Sequence, residues 1–205
     1  MPHIIPLAQL PFSQACENNK SVIVDNLFHW FANSSHVLEI GSGTGQHCTY
    51  FAKHLSHLHW QPSDQASYIP TLHARIAHFP LANLAPPIEQ DVSTCWPQLP
   101  TTLDAIFTAN TLHIMSKENV VALFSGCAKH LASKGCLVIY GPFNYSGNYT
   151  SDSNRQFDVW LKQQNPVSGI RDIEWITSLA HQQSFELKED IAMPANNRML
   201  LFTLV

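Results

Sequence analysis

A chain of 205 residues that is 45% hydrophobic has enough apolar side chain for one sizeable core, and a net charge of only −4 excludes the overall basic excess that a nucleic-acid backbone attracts. No apolar run nears the roughly 18 residues of a membrane span, and Met1-Pro2-His3-Ile4-Ile5-Pro6 lacks the pattern of a secretion signal. A cytoplasmic protein with no membrane and no nucleic-acid partner is therefore expected, and the sequence leaves its oligomeric state open. Cys16, Cys48, Cys95, Cys127 and Cys136 are odd in number and form no C-x-x-C pair, which reads as reduced thiols. In that setting the sequons at Asn144 and Asn148 are chance matches.

In chain order, helical spacing of Val22, Ile23, Leu27, Trp30 and Phe31 predicts a helix over 18–32. Val37–Ile40 is a first strand, and a helix over 46–55 follows a glycine turn. A short strand over 58–62 ends before Asp64, a helix covers 66–79, and Pro86-Pro87 separates it from a third strand over 88–92. Residues 103–109 form a fourth strand and 117–131 an amphipathic helix, with Gly135 available for a left-handed exit turn. The apolar run 136–140 is a fifth strand, buried on both faces. Alternation of strands and helices predicts an α/β, doubly wound, mostly parallel seven-stranded sheet. After a helix over 172–182, strands over 185–192 and 199–205 are joined by a connection too short for a parallel crossover, so the sheet closes with an antiparallel hairpin. One domain over 1–205 is expected.

The stretch Glu39-Ile40-Gly41-Ser42-Gly43-Thr44-Gly45-Gln46 chooses a ligand by its spacing. Glycines let a backbone approach a ligand closely, and a helix start offers unpaired N–H groups. A dinucleotide fingerprint needs glycine at 46, where Gln46 stands. The E-x-G-x-G-x-G pattern instead resembles the first motif of class I S-adenosylmethionine (SAM) methyltransferases, and the C-terminal hairpin is that class's topology. A tight turn without a ligand is the competing reading.

Ligands of open α/β sheets bind at the carboxyl ends of strands. Glu39, Asp64, Asp91 with Val92, and Asn110 all fall there. A carboxylate at Asp64 can accept both ribose hydroxyls, and Asp91 stands where such folds meet the adenine. Each can instead be a cap or turn residue.

At this point the chain resembles one family along nearly its whole length. The blocks are Glu17-Asn18-Asn19-Lys20, Ser42-Gly43-Thr44-Gly45-Gln46-His47, Trp60-Gln61-Pro62-Ser63-Asp64, Asn110-Thr111-Leu112-His113-Ile114, Tyr140-Gly141-Pro142-Phe143, Ser153-Asn154, Phe157-Asp158, Gly169-Ile170-Arg171-Asp172 and Met193-Pro194-Ala195-Asn196-Asn197. They are similar to the methyltransferase-like protein 26 family, a domain-of-unknown-function set of SAM-dependent methyltransferase homologues. Asn18 departs from the arginine expected there. The resemblance implies fold and cofactor, with Glu39, Gly41, Ser42, Gly43, Thr44, Gly45, Asp64, Asp91, Val92 and Asn110 at the cofactor, and residues 1–35 as a helical cover. It supplies no substrate.

Methyl transfer from a sulfonium needs in-line positioning, with a base where the acceptor must lose a proton. His113, after the fourth strand, is the candidate base, with an ionisation expected near pH 6–7; a structural histidine is the alternative. Tyr140 is a candidate hydrogen-bond donor or a packed aromatic. Residues 143–171 open with a polar loop that reads as an acceptor-side lid or as disorder. Asn19, Lys20, Asn154, Arg171, Asn196 and Asn197 are the candidate acceptor-site groups. Arg171 points to an anionic acceptor or to an ion pair with a carboxylate such as Asp172. No metal site is expected from the twelve histidines, whose spacing lacks a matched ligand set. A small-molecule acceptor leads; a SAM- or S-adenosylhomocysteine-binding protein without turnover, and a protein or RNA methyltransferase needing a partner, are the alternatives.

Overall fold

The computed structural model describes residues 5–99 and 101–205. Most of the residues read above for a secretion signal lie outside that range. The chain divides into two compact units, Met1–Asp91 with Trp96–Phe107, and Val92–Cys95 with Thr108–Val205.

In the amino-terminal unit, helix α1 (Gln14–Trp30) begins four residues before the expected start at 18 and ends two before the expected end at 32. Ser13 caps it, its hydroxyl accepting the Cys16 N–H at 3.3 Å. Strand β1 (His36–Ile40) leads into helix α2 (Gln46–His54), whose N-cap is Gly45. Strand β2 (His59–Asp64) runs further than expected and takes in Asp64 itself. Helix α3 (Ile69–Ile76) is shorter than its periodicity, and strand β3 (Ile88–Glu89) stops before Gln90. β1 pairs β2 in parallel from His36↔His59 to Ile40↔Ser63, and β2 pairs β3 in parallel. The core here is aromatic. Phe51 lies 5.5 Å from Trp60 and 5.4 Å from Phe107, and His47 stacks on it at 5.0 Å.

Strand β4 (Leu103–Ala109) is followed by helix α4 (Lys117–His130), capped by the Ser116 hydroxyl. Strand β5 (Leu131–Gly141) absorbs the segment read as an exit turn. The left-handed residue there is Lys134, with φ 65°, not Gly135. A two-residue strand β6 (Phe143–Asn144) pairs in parallel with β7 (Arg171–Asp172). Between them lies helix α5 (Asp152–Gln164), which the polar sequence hides. Its start was readable from Ser151, whose hydroxyl accepts the Asn154 N–H at 3.1 Å, followed by Asp152 in the first turn. Helix α6 (Ile173–Gln182) precedes strands β8 (Phe185–Met193) and β9 (Asn197–Leu204). These pair antiparallel, and β9 pairs antiparallel with β5. Phe124 meets Phe185 and Phe202 edge-on at 6.3 and 6.0 Å in this unit's core.

The main sheet has seven strands in the order β3-β2-β1-β4-β5-β9-β8 and is mostly parallel, closed by the expected antiparallel hairpin. No described helix is long and apolar enough to cross a membrane.

Candidate functional site

The glycine loop joins β1 to α2. Gly41, Gly43 and Gly45 have φ of 75°, 54° and 75°, left-handed values that exclude most side chains. The loop is clamped from β2: the N–H groups of Gly41 and Ser42 both donate to the Ser63 carbonyl at 3.0 Å. Asp64 finishes the clamp. Its Oδ2 accepts the Gly43 N–H at 2.7 Å and its Oδ1 the Gln65 N–H at 2.7 Å. A carboxylate has about four lone-pair positions, so roughly half its accepting capacity stays available.

A Cβ on Gly45 would come within 3.0 Å of Arg75 Cδ and 3.1 Å of Leu72 Cδ2, whereas one on Gly43 would meet no described residue within 4 Å. Gly45 is thus a packing glycine. Gly43 borders open space beside a buried carboxylate. Arg75 holds the loop from α3, its Nε donating to the Thr44 carbonyl and its Nη2 to that of Pro11 at 2.6 Å. Gln46, at the position where a dinucleotide fingerprint needs glycine, accepts the Ser13 N–H at 2.6 Å and donates to Glu17 Oε2 at 3.2 Å. The segment before α1 is therefore tied to the loop.

Glu39 is 2% exposed and accepts the Trp60 indole N–H at 3.0 Å. Burial pushes its pKa up to about 7, against the hydrogen bonds from Trp60 and Ser42 and with a small push from Asp64. Asp64 is raised too, by burial, with the Gly43 and Gln65 N–H groups opposing. Gln90, which the sequence did not single out, is buried just past β3, and its Oε1 has no partner among the described residues. Asp91 accepts the Gln65 side-chain amide at 3.1 Å. The adjacent Val92 is buried.

Two candidate acceptor residues of this unit have partners within it. Asn19 is buried, with Oδ1 2.7 Å from His47 Nε2. The Lys20 ammonium is paired with Glu17 and lies 4.8 Å from the Tyr50 ring centre.

In the carboxy-terminal unit, Asn110 ends β4 in a left-handed conformation, φ 59°, and its N–H donates to the Tyr140 carbonyl at 2.8 Å. A Cβ built on Gly141 would lie 3.8 Å from His113 Nδ1 and 4.0 Å from Asn110 Oδ1, so Asn110, His113 and the residue after Tyr140 converge. Tyr140 is 2% exposed. His113 is buried, meets Phe157 edge-on at 5.2 Å, and accepts the Gly169 N–H on its carbonyl at 2.8 Å. Burial, helped by the Arg171 charge, lowers its pKa to about 4, which corrects the expectation of 6–7.

Among the described residues Arg171 forms no ion pair with Asp172 or another carboxylate. Its Nε donates to the Leu112 carbonyl at 3.2 Å, and its Nη2 donates to Met115 and, at 2.9 Å, to Val167. A buried fork of N–H donors satisfies loop carbonyls that lack a ladder. Asn154 and Asn196 do come together: the Asn154 amide donates to the Asn196 carbonyl at 3.0 Å and to Thr150 at 2.9 Å, and the Asn196 amide donates to Ser153 at 3.2 Å. Asn197 donates to the Pro194 carbonyl at 3.2 Å. The organiser of this region is Asp158, 1% exposed, which accepts Tyr149 Oη at 2.7 Å, Lys162 Nζ at 2.5 Å and the Ile170 N–H at 2.6 Å. Against the upward push of burial, those bonds hold its carboxyl below the usual range. No sequence periodicity marks such a hub; only a helix-borne Asp facing away from solvent would have signalled it.

Residues 10–204 match the family described as "protein of unknown function (DUF938)". The chain belongs to this family. Its fold is that of class I methyltransferases. An O-methyltransferase family protein from Burkholderia thailandensis superposes with a TM-score of 0.79 at 14% identity over 92% of this chain and 57% of its own. The SAM-dependent methyltransferase SibL gives 0.77 at 17% identity, covering 92% of this chain and 55% of its own. Human N-acetylserotonin methyltransferase, solved in complex with SAM, gives 0.76 at 13% identity, covering 93% and 52%. The chain thus spans little more than half the length of the structures it matches.

Proposed function

We propose that this member of the family is a SAM-dependent methyltransferase acting on a small molecule, within the group resembling methyltransferase-like protein 26. The observation that carries the reading is the open space at Gly43 beside the Asp64 carboxylate, at the carboxyl ends of β1 and β2. A loop kept free of side chains, next to a buried acceptor with unused capacity, suits a polar ligand with hydroxyl donors. The unpartnered Gln90 oxygen past β3 suits a further donor such as an exocyclic amine. These residues fit the cofactor.

In this reading the backbone of Gly41–Gly45 and the Asp64 carboxylate hold the cofactor, with Glu39 shaping the strand end and Asp91, Val92 and Asn110 contributing polar and apolar contacts. The cofactor supplies an activated methyl group on a sulfonium. His113 is the candidate base. With its pKa lowered to about 4 it is neutral at pH 7, so its imidazole can accept a proton. Tyr140 is assigned to orienting the acceptor, and residues 143–171 to excluding water.

A binding protein without turnover is the second reading. It is favoured by the internal hydrogen bonds of Arg171, Asn154 and Asn19, which engage the groups expected at an acceptor. Calorimetry against SAM, S-adenosylhomocysteine and NAD tests the cofactor. Binding of the first two, weakened about a hundredfold by Asp64→Ala through loss of charge-assisted hydrogen bonds, is expected. NAD binding without SAM binding would end it. Incubation of a metabolite extract with methyl-labelled SAM separates the two readings by whether a labelled product forms.

A further inference from the structure

A cavity of about 670 Å³ lies wholly within the carboxy-terminal unit; much of its wall comes from the 143–171 segment, but neither His113 nor Tyr140 borders it. Its volume is within the usual range for small-ligand sites. Asn144 and Asp172 line it side by side, as Cα partners across the β6–β7 pair. Asn144 is 8% exposed, and its Oδ1 has no hydrogen-bond partner among the described residues. Asp172 is the N-cap of α6, a position where an aspartate ordinarily accepts a helix N–H, yet its side chain caps nothing. Its Oδ1 is also buried and unpartnered among the described residues.

Two adjacent acceptors left unpaired are unfavourable unless a donor reaches them. The donor must be cationic or neutral and rich in N–H, because one acceptor is a carboxylate. Across the same cavity Lys117 holds its ammonium 5.7 Å from the Trp175 ring centre, and no carboxylate lies within ion-pair distance of it among the described residues. Lysine and arginine outnumber aspartate and glutamate in the wall, so a purely cationic occupant is disfavoured. We propose that this cavity binds a small zwitterion of the amino-acid class, its primary ammonium donating to Asp172 and Asn144 and its anionic group meeting Lys117. The site stands independently of the cofactor reading, and its test contains no SAM.

The probes are glycine, β-alanine and γ-aminobutyrate, which step the distance between the two charges. Trimethylglycine, which has no N–H, and acetate, which has no cation, are the controls. Titration calorimetry of the full chain should show one site for at least one of the three zwitterions at millimolar concentration or below, with both controls at least about tenfold weaker. Asp172→Asn should lower that affinity by about tenfold or more, and Lys117→Met by a similar factor. Because the Asp172 side chain makes no hydrogen bond among the described residues, Asp172→Asn should leave the melting temperature unchanged, which separates a binding role from a capping one. Absence of binding by all three zwitterions, or binding that is indifferent to Asp172→Asn, overturns the proposal. So does a trimethylglycine affinity equal to that of the primary amines.

Discussion

The two units handle left-handed backbone in opposite ways. In the amino-terminal unit the described residues of positive φ are Gly41, Gly43 and Gly45, all in one loop. In the carboxy-terminal unit Asn110, Lys134, Ser146, Ser184, Ala195 and Asn196 take positive φ without being glycine, beside Gly147 and Gly169. Each such non-glycine residue costs about 1–2 kcal/mol of backbone strain, least for Asn. It persists only where its surroundings over-determine it. Some of those surroundings are visible: the N–H of Asn110 bonds Tyr140, that of Ser146 bonds Glu174, and that of Ser184 bonds His181. One unit writes its special geometry into residue identity. The other imposes it through tertiary contacts.

The sharpest way to break this contrast is within the glycine loop. Gly45→Ala meets left-handed strain and a crowded site, and should destabilise by about 2–5 kcal/mol. Gly43→Ala meets the strain alone and should lose only about 1–2 kcal/mol. Its larger effect should be on S-adenosylhomocysteine, since the new methyl group enters the open space. Urea titration and calorimetry on both variants check this. If Gly43→Ala binds the ligand as tightly as the parent, the open space is not the cofactor's.

Acid should separate the units next. His47, in the amino-terminal unit, and His113, in the other, are both buried, with pKa values lowered to about 4. An unfolded imidazole protonates near pH 6.5, so each contributes stability that is full above about 6.5 and lost as pH falls to about 4, roughly 3 kcal/mol apiece. Glu39 runs the other way. Its pKa is raised to about 7, so its charging opposes folding above the unfolded value near 4.5, and it returns roughly as much on acidification as His47 removes. Among the described carboxylates the carboxy-terminal unit has no such offset: Asp158, whose carboxyl is lowered, keeps its contribution through this range and begins to lose it only below about pH 4. Hydrogen exchange between pH 6.5 and 4 should therefore show β9 losing protection before β1. Glu39→Gln should remove the amino-terminal unit's advantage, and equal loss in both strands of the parent chain would refute the compensation.

The base assignment is the third test, comparable in size. His113→Asn should keep S-adenosylhomocysteine binding and lower turnover by roughly a hundredfold or more. With the lowered pKa, transfer should stay level down to about pH 5 and fall through an ionisation near 4. A profile with its inflection at 6–7, unchanged in His113→Asn, assigns the proton to another group.

The same contrast explains what was legible in the sequence. The mostly parallel sheet and its closing hairpin follow from apolar runs and connection lengths, which are local. The glycine loop was readable because Gly41, Gly43 and Gly45 are where left-handed backbone is cheap. Beyond its capped start, helix α5 was not, because its residues are mostly polar and it packs through few side chains, Asn154, Asp158 and Leu161. The internal duties of Arg171 and Asn19 were not readable either, since a side chain's partner lies tens of residues away: 59 separate Arg171 from Leu112, and 28 separate Asn19 from His47. Gln90 carries no such signal, because a strand-end amide, unlike a carboxylate, does not stand out in a sequence.

The smallest expected effect tests the imposed geometry directly. Ala195 has φ 57° within the connection between β8 and β9, is exposed, and has no side-chain polar group with which to stabilise a left-handed turn locally. Lys134, φ 65° and exposed in β5, is the comparable position in a strand. Glycine removes the Cβ clash at either site, but it also enlarges the conformational freedom of the unfolded chain, which returns part of the gain. Ala195→Gly and Lys134→Gly should each therefore stabilise by only about 0.5–1 kcal/mol, read as a shift in urea midpoint without a change in slope. The two sites are distant in the chain and share no partner, so the double variant should be additive. Asn110→Gly should behave differently. It relieves the same strain, but it removes the amide oxygen that converges with His113, so any gain in stability should come with weaker transfer. Destabilisation at Ala195 and Lys134 instead would mean that the unfolded-chain entropy outweighs the strain, and that the left-handed positions of the carboxy-terminal unit are not strained.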